Sequence, residues 1–230
     1  MYKVLDLFSG IGGFSLGLEA TGEFETTAFC EIDVTASLVL RKHWPTVKIF
    51  KDIRALRGED VGTVDVICGG FPCQDIATCG RQAGITGKRS GLWKEFKRLI
   101  GEIKPRYAII ENVANLRSTG LATVLQDLWQ IGYDAEWHII PACSVGSPHK
   151  RERIFIIAYD NRLRVEGPGA KLKATGFNKR PWRDWPGTQP KSRRVDDGDS
   201  PRSHKARIEQ IGNSVVPKIV QTIGEGILAF

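Results

Sequence analysis

The sequence predicts an open α/β fold. Short apolar, β-branched runs alternate with stretches at helical spacing. A glycine-rich turn, Ser9-Gly10-Ile11-Gly12-Gly13, follows the first such run and precedes the first helical stretch. A second glycine pair with a proline and a cysteine, Gly69-Gly70-Phe71-Pro72-Cys73-Gln74, follows the run Val64–Cys68. In open α/β sheets, ligands bind beyond the carboxyl ends of the strands, and both turns fall there.

The chain has 230 residues, enough for one domain with a proper core. No apolar run reaches membrane-spanning length, and Met1-Tyr2-Lys3-Val4-Leu5-Asp6 leads straight into a strand without a signal-peptide layout. Five cysteines without a metal-type CxxC spacing point to reduced thiols, a cytoplasmic protein and no bound metal. The net charge of +7 is unevenly placed. Residues 161–207 hold 13 Lys/Arg against 5 Asp/Glu; the rest holds 20 against 21. Such a basic segment suits a nucleic-acid contact or, equally on charge alone, a solvated loop.

Lys3–Phe8 alternates as a first strand, and Phe14–Ala20 continues as a helix. Strand, glycine turn and helix form the opening of a Rossmann-like unit. The dinucleotide pattern GxGxxG is not met, because Ser15 stands at the third glycine position. Thr26–Cys30 is a second strand ending in Glu31-Ile32-Asp33. An acid at that tip grips ribose hydroxyls in such folds, and Asp33 also suits a cap for the helix Val34–Lys42. Thr46–Phe50 is a short third strand before Asp52-Ile53. Asp52 reads as an adenine-amine acceptor or as an ordinary loop acid.

Cys73 follows the fourth strand. A free cysteine is commonly a small buried hydrophobe, but the neighbours of Cys73 are polar or turn-forming, so a reactive thiol is an equal reading. Gln74–Ser90 is polar and carries Arg81, Lys88 and Arg89, as a loop closing over a substrate would. A helix runs from Gly91 to about Glu102. Tyr107–Ile110 is the fifth strand, with Glu111-Asn112-Val113 after it. Glu111 is a second chemical group in the same sheet as Cys73, or else a cap or surface acid.

Leu121–Ile131 reads as a helix stopped by Gly132. Ala135–Ile140 and Arg153–Ala158 are two further strands in a hairpin. His149 reads as a hydrogen-bonded loop residue rather than a base. Arg151 and Arg153 alternate along one strand, so both are expected on one face, suited to a carbonyl or phosphate. Prolines interrupt residues 161–207, where Trp182 and Trp185 stand among arginines. Aromatics among basic residues suit stacking and phosphate contact, or anchor the loop. Pro217–Phe230 is a closing helix.

In order and content these pieces resemble the C5-cytosine DNA methyltransferases. The matching residues are Asp6-Leu7-Phe8-Ser9-Gly10-Ile11-Gly12-Gly13-Phe14, Glu31-Ile32-Asp33, Asp52-Ile53, Gly70-Phe71-Pro72-Cys73-Gln74, Gly91-Leu92, Glu111-Asn112-Val113, Arg151-x-Arg153 and Gly212-Asn213-Ser214-Val215-x-Pro217. They cover roughly 1–160 and 208–230. The resemblance implies a Rossmann-like, S-adenosylmethionine-dependent methyltransferase sheet with helices on both faces and a small irregular recognition segment. It divides the chain into a catalytic and cofactor-binding part (1–160), a short basic target-recognition segment (161–207) and a C-terminal return (208–230).

The resemblance also implies S-adenosyl-L-methionine as cofactor. Phe8 would line the adenine, Glu31 and Ile32 would meet the ribose and adenine, and Asp52 and Ile53 the adenine edge. Ser9, Gly10, Gly12, Gly13, Asn213, Ser214 and Val215 would surround the methionine end. Cys73, set by Pro72 and Gln74, would be the nucleophile. Glu111 would hold N3 of the cytosine, Arg153 its O2, and Arg151 would support them. Double-stranded DNA is the implied partner, with the target base flipped out. Phosphate contacts would come from Arg81, Lys88, Arg89, Arg193 and Arg194. A monomer is expected, with any cognate restriction enzyme not physically associated.

Three features depart from the family pattern. His149 stands where glutamine is usual, Ile32 where a larger side chain is common, and the recognition segment has only about 50 residues. This describes a compact member of phage, prophage or restriction-modification type. An RNA cytosine methyltransferase and a silent nucleic-acid-binding remnant are the competing readings. A dinucleotide oxidoreductase would leave Cys73 and Glu111 without a task.

Overall fold

In the computed structural model, which describes residues 1–72, 91–163 and 214–229, seven strands form one mixed sheet in the order β3-β2-β1-β4-β5-β7-β6. The elements in chain order are β1 (Tyr2–Leu7), α1 (Gly13–Glu19), β2 (Phe24–Cys30), α2 (Val34–His43) and β3 (Lys48–Phe50). Then come β4 (Val66–Gly70), α3 (Gly91–Ile103), β5 (Tyr107–Val113) and α4 (Leu121–Gln130). The last are β6 (Tyr133–Pro141), β7 (Glu152–Asp160) and α5 (Pro217–Leu228).

Strands β1 to β5 are mutually parallel, as their helical crossovers require. β7 runs antiparallel to both β5 and β6. Its first residues therefore lie at the edge where the parallel strands end. The expected pairing of the last two strands is present. Its connection spans residues 142–151, however, and β7 rather than β6 lies beside β5.

Alternation along the strands makes two core layers. Leu5, Leu7, Ile67 and Ile110 face Trp93, Phe96, Leu99 and Ile100 of α3 and Val124 and Leu128 of α4. Val4, Val66, Cys68 and Ile109 face Phe14 and Leu18 of α1 and Ile219, Val220 and Ile223 of α5. Each fully buried aliphatic or aromatic side chain contributes roughly 1.5–3 kcal/mol. α1 and α5 approach very closely: a Cβ on Gly17 would stand 2.4 Å from the Pro217 carbonyl oxygen.

Element ends differ from the sequence expectation in instructive places. β4 continues through the glycine pair to Gly70, because the ladder with β5 runs to Gly70–Glu111. At Gly69 (φ +157) a Cβ would lie 2.1 Å from the Leu7 carbonyl oxygen, so only glycine permits that approach to β1. β5 extends to Val113, held by the pair Val113–Arg153. Glu111 is therefore inside the strand, not after it. α5 ends at Leu228. No helix among the described residues is long and apolar enough to cross a membrane.

Candidate active site

The described functional residues gather at the edge where β1, β2, β4 and β5 end and β7 begins. Glu111 of β5 projects there, largely buried, and its Oε1 accepts from Arg153 Nε at 3.0 Å. Burial raises the Glu111 pKa above the ordinary carboxylate range. Arg153 and, behind it, Arg151 pull it back down. Burial is the larger of these opposing effects, so the net direction is upward.

Gly70 makes room for that carboxyl. A Cβ at Gly70 would stand 2.7 Å from Glu111 Oε2. Next along β5, Asn112 is buried and turns its carboxamide to β4. Its Nδ2 donates to the Phe71 carbonyl at 3.0 Å, and its Oδ1 accepts from Val113 N at 2.9 Å. Phe71 is buried against Trp93, whereas Pro72 is exposed. Cys73, Gln74, Arg81, Lys88 and Arg89 lie outside the described residues, as do Arg193, Arg194 and Asn213.

The arginine pair corrects the expectation of simple alternation. Arg153 is in β7, but Arg151 precedes it and has a positive φ of 23°. Arg151 stays near enough to act on Glu111, and its Nη2 donates to the Ser214 carbonyl at 2.9 Å. Arg151 therefore ties the start of β7 to the segment before α5. His149 is a loop residue whose Nε2 lies 3.1 Å from Ser147 Oγ.

The second part of the edge is the glycine turn. Gly10 N donates to Glu31 Oε2, and Asp33 N donates to Glu31 Oε1, both at 2.7 Å. Glu31 thus closes the turn after β1 onto the tip of β2. Asp33 caps α2 through Ala36 N at 2.7 Å. Ser9 is spent within the turn, its Oγ donating to the Asp6 carbonyl at 2.6 Å. Gly12 (φ +85) caps α1, with the Trp44 ring where a Cβ would go. At Gly13 a Cβ would meet Ser214 Oγ at 2.6 Å, so the turn and the segment before α5 fit against one another. Phe8, at φ 52°, is half-buried and stacks on Phe96.

Several side chains proposed from sequence for the cofactor are otherwise engaged. Asp52 receives Arg54 in a two-pronged ion pair, with Nη2 to Oδ2 at 2.7 Å and Nε to Oδ1 at 2.9 Å. This pair lowers the Asp52 pKa. The Ile53 side chain is buried in the core, and its carbonyl accepts from Arg98 at 2.9 Å. Val215 packs in the layer between sheet, α1 and α5. Ile32 by contrast is 68% exposed beside Glu31.

Sequence reasoning did not assign Gly70, Asn112 or Asp6 to the site. Asp6 is fully buried in β1 and accepts from Ser15 Oγ at 2.8 Å. Its Oδ1 has no hydrogen-bond partner among the described residues. Burial raises its pKa to about 8, against the lowering effect of Ser15. A polar residue inside an apolar strand run was the available signal for both Asp6 and Asn112. The thiols of Cys30 and Cys68 are buried, and burial pushes Cys30 up to about 12 and Cys68 well above its ordinary value. Neither is a nucleophile at neutral pH. No cluster of metal-ligating residues is present among the described residues.

Known proteins place this architecture. Residues 2–200 match the family described as C-5 cytosine-specific DNA methylase. The chain is 38% identical over 164 residues to the type II methyltransferase M2.BsuMI of Bacillus subtilis (strain 168), covering 68% of this chain and 41% of that protein. It is 30% identical over 228 residues to the type II methyltransferase M.CviJI of Paramecium bursaria Chlorella virus IL3A, covering 98% and 59%. The chain thus spans about half the length of these relatives. The structure of the S. pombe Dnmt2 methyltransferase shares the fold, with a TM-score of 0.64, 20% identity, and coverage of 81% of this chain and 59% of that one. A family match over most of the sequence, on a sheet whose strand ends carry the residues that first suggested it, makes this chain a member of the C-5 cytosine-specific DNA methylase family.

Proposed function

We propose that the chain is a DNA (cytosine-5-)-methyltransferase that methylates C5 of a flipped-out cytosine in double-stranded DNA. The observation that carries this reading is the half-buried Glu111–Arg153 pair, set on β5 and β7 beside the end of β4, from which the chain leads through Pro72 to Cys73. A carboxyl whose pKa burial raises suits a donor to N3 of cytosine, and a guanidinium beside it suits the O2 carbonyl.

S-adenosyl-L-methionine fits the glycine turn. A side chain at Gly10 would meet nothing within 4 Å, so the backbone there faces open space. Glu31 stands at the tip of β2, where ribose hydroxyls are held, with the exposed apolar Ile32 beside it to cover a purine. Asp52 would reach an adenine amine once shared with, or released by, Arg54. Bound there, the cofactor supplies an electrophilic methyl group.

The chain's own residues then account for the remaining steps. The Cys73 thiolate forms a bond to C6, and the C5–C6 electron pair becomes available at C5. Protonated Glu111 and Arg153 neutralise the charge that develops on N3 and O2. The methyl group that C5 takes up would be supplied by S-adenosyl-L-methionine held at the glycine turn and Glu31, with S-adenosyl-L-homocysteine as the leaving group. Loss of the C5 proton to a base expels the Cys73 thiolate and restores the ring. The target atom is inaccessible inside a duplex, so the base must leave the stack. Residues 161–207, net basic, are assigned to the phosphate backbone, with Arg193 and Arg194 as contacts.

Covalent trapping tests the reading. The protein is mixed with S-adenosyl-L-methionine and a mixed-sequence duplex containing 5-fluorocytosine, which has no removable C5 proton. A denaturation-resistant protein–DNA adduct is expected in the native protein and none in Cys73→Ala. An adduct with RNA alone, an adduct that survives Cys73→Ala, or cofactor binding without any adduct overturns it.

A further inference from the structure

The β4–β5 ladder ends at the pair Gly70–Glu111, one residue short of a proline. Proline has no N–H, so a regular ladder cannot continue through Pro72. The Phe71 carbonyl nevertheless lies buried and needs a donor. Asn112 Nδ2 provides it at 3.0 Å, while its Oδ1 takes the Val113 N–H at 2.9 Å. A carboxamide donates and accepts at these two places at once, whatever the pH. One side chain therefore replaces the missing rung between the strands and fixes where β4 releases the chain.

The same rung sits directly behind Glu111. Glu111 and Asn112 are consecutive in β5, so their side chains leave on opposite faces of the sheet, Glu111 to Arg153 and Asn112 to the Phe71 carbonyl. Gly70, paired with Glu111, is bare of side chain and lies against its carboxyl. Displacement of the Phe71–Pro72 peptide consequently moves both Gly70 and the space that Glu111 occupies. Asn112 is nearly solvent-free, 2% exposed, so water does not substitute for it.

We propose that Asn112 is a positioning residue for methyl transfer: its carboxamide sets the Phe71–Pro72 exit from β4 against the Glu111 carboxyl. This rests on the methyltransferase reading above. Asn112 touches neither base nor cofactor. It acts through the spacing between the β4 exit and β5, and a 1 Å misplacement of reacting groups costs on the order of a hundredfold in rate.

The test uses the full chain and three proteins: native, Asn112→Ala and Asn112→Asp. Rates of adduct formation on the 5-fluorocytosine duplex are measured from pH 5.5 to 8.5, together with the dissociation constant for S-adenosyl-L-methionine. Asn112→Ala should lose roughly 10–100-fold in rate at every pH, with cofactor affinity changed less than about twofold. Asn112→Asp should match Asn112→Ala at pH 8.5, where its carboxylate repels the Phe71 carbonyl. As pH falls it should recover relative to the native protein, because the protonated carboxyl regains a donor for that carbonyl. General destabilisation would not produce this crossing of pH profiles. A constant ratio of Asn112→Asp to native rate across the range overturns the proposal, as does a native-like rate in Asn112→Ala. Absence of an adduct in the native protein itself brings down the methyltransferase reading, and the positioning role with it.

Discussion

Arg153 Nε sits 3.0 Å from Glu111 Oε1, joining the first residues of an antiparallel strand to the last residues of a parallel one. The contact opposes the effect of burial on Glu111. Arg153→Met removes the nearer positive charge while keeping an unbranched stem in place. The Glu111 pKa should then move further up. Carboxyl carbon NMR of selectively labelled glutamate, titrated in the folded protein, reads this directly. A Glu111 titration that stays in place, or moves down, contradicts the pairing. In Glu111→Gln, which cannot ionise or donate a proton, methyl transfer should fall by about a hundredfold or more.

Gly70 is the second control on that carboxyl. Gly70→Ala brings a methyl group to 2.7 Å from Glu111 Oε2, well inside contact distance. Arg153 restrains the carboxyl on its other side, so the variant should turn Glu111 off its position. The expected result is a roughly 10–100-fold lower transfer rate with unchanged cofactor affinity. Single-turnover kinetics and calorimetry on the same preparation separate the two. A native rate in Gly70→Ala means the carboxyl has slack that the geometry does not show.

Glu31 carries a different burden. It holds Gly10 N and Asp33 N, and it is the acid at the tip of β2. Glu31→Ala removes a charged acceptor, worth about 1.5–3 kcal/mol per hydrogen bond, so S-adenosyl-L-methionine should bind at least about tenfold more weakly. Glu31→Gln should fall between. Titration calorimetry on the purified protein decides it, and an affinity equal to native in Glu31→Ala removes this residue from the cofactor site.

Asp6 makes the protein's stability depend on pH. Its carboxyl is raised from 3.8 to about 8 by burial, so the folded state keeps a proton that the unfolded state has released. Between roughly pH 4 and 8 the folded state binds more protons, and stability falls as pH rises, by up to about 1.4 kcal/mol per unit. Asp6→Asn cannot ionise and should lack this slope. Urea unfolding at pH 5, 7 and 9 should show the variant gaining on the native protein towards pH 9. Parallel stability curves for the two would mean that Asp6 stays ionised when buried.

The parallel strands were legible because each is a short apolar run closed by glycine, proline or an acid. Glu111 was legible for the same reason, as a carboxylate after buried isoleucines. What sequence spacing cannot convey is register. Gly70 and Glu111 are forty-one positions apart, and only the β4–β5 ladder reveals that the glycine's emptiness belongs to the glutamate. Asn112 is hidden likewise, since its acceptor lies just past the end of the neighbouring strand. The Arg151–Arg153 spacing conveys that both guanidiniums act on Glu111, but not that Arg151 stands before β7 with a positive φ. Ile53 follows a half-buried acid, yet its side chain turns inward to the core.

The tight contact of Gly17 with Pro217 bears on the order in which the chain can fold during synthesis. Phe14 and Leu18 are made early, but their partners Ile219, Val220 and Ile223 are made some two hundred residues later. At translation speeds of about 5–20 residues per second, that face of the nascent sheet stays open for roughly ten to forty seconds. During that interval it is a bare hydrophobic surface next to the glycine turn. Closure by α5 is then a long-range, late event, which places the layer between the sheet, α1 and α5 among the slowest parts of the molecule to mature and the most exposed to premature association.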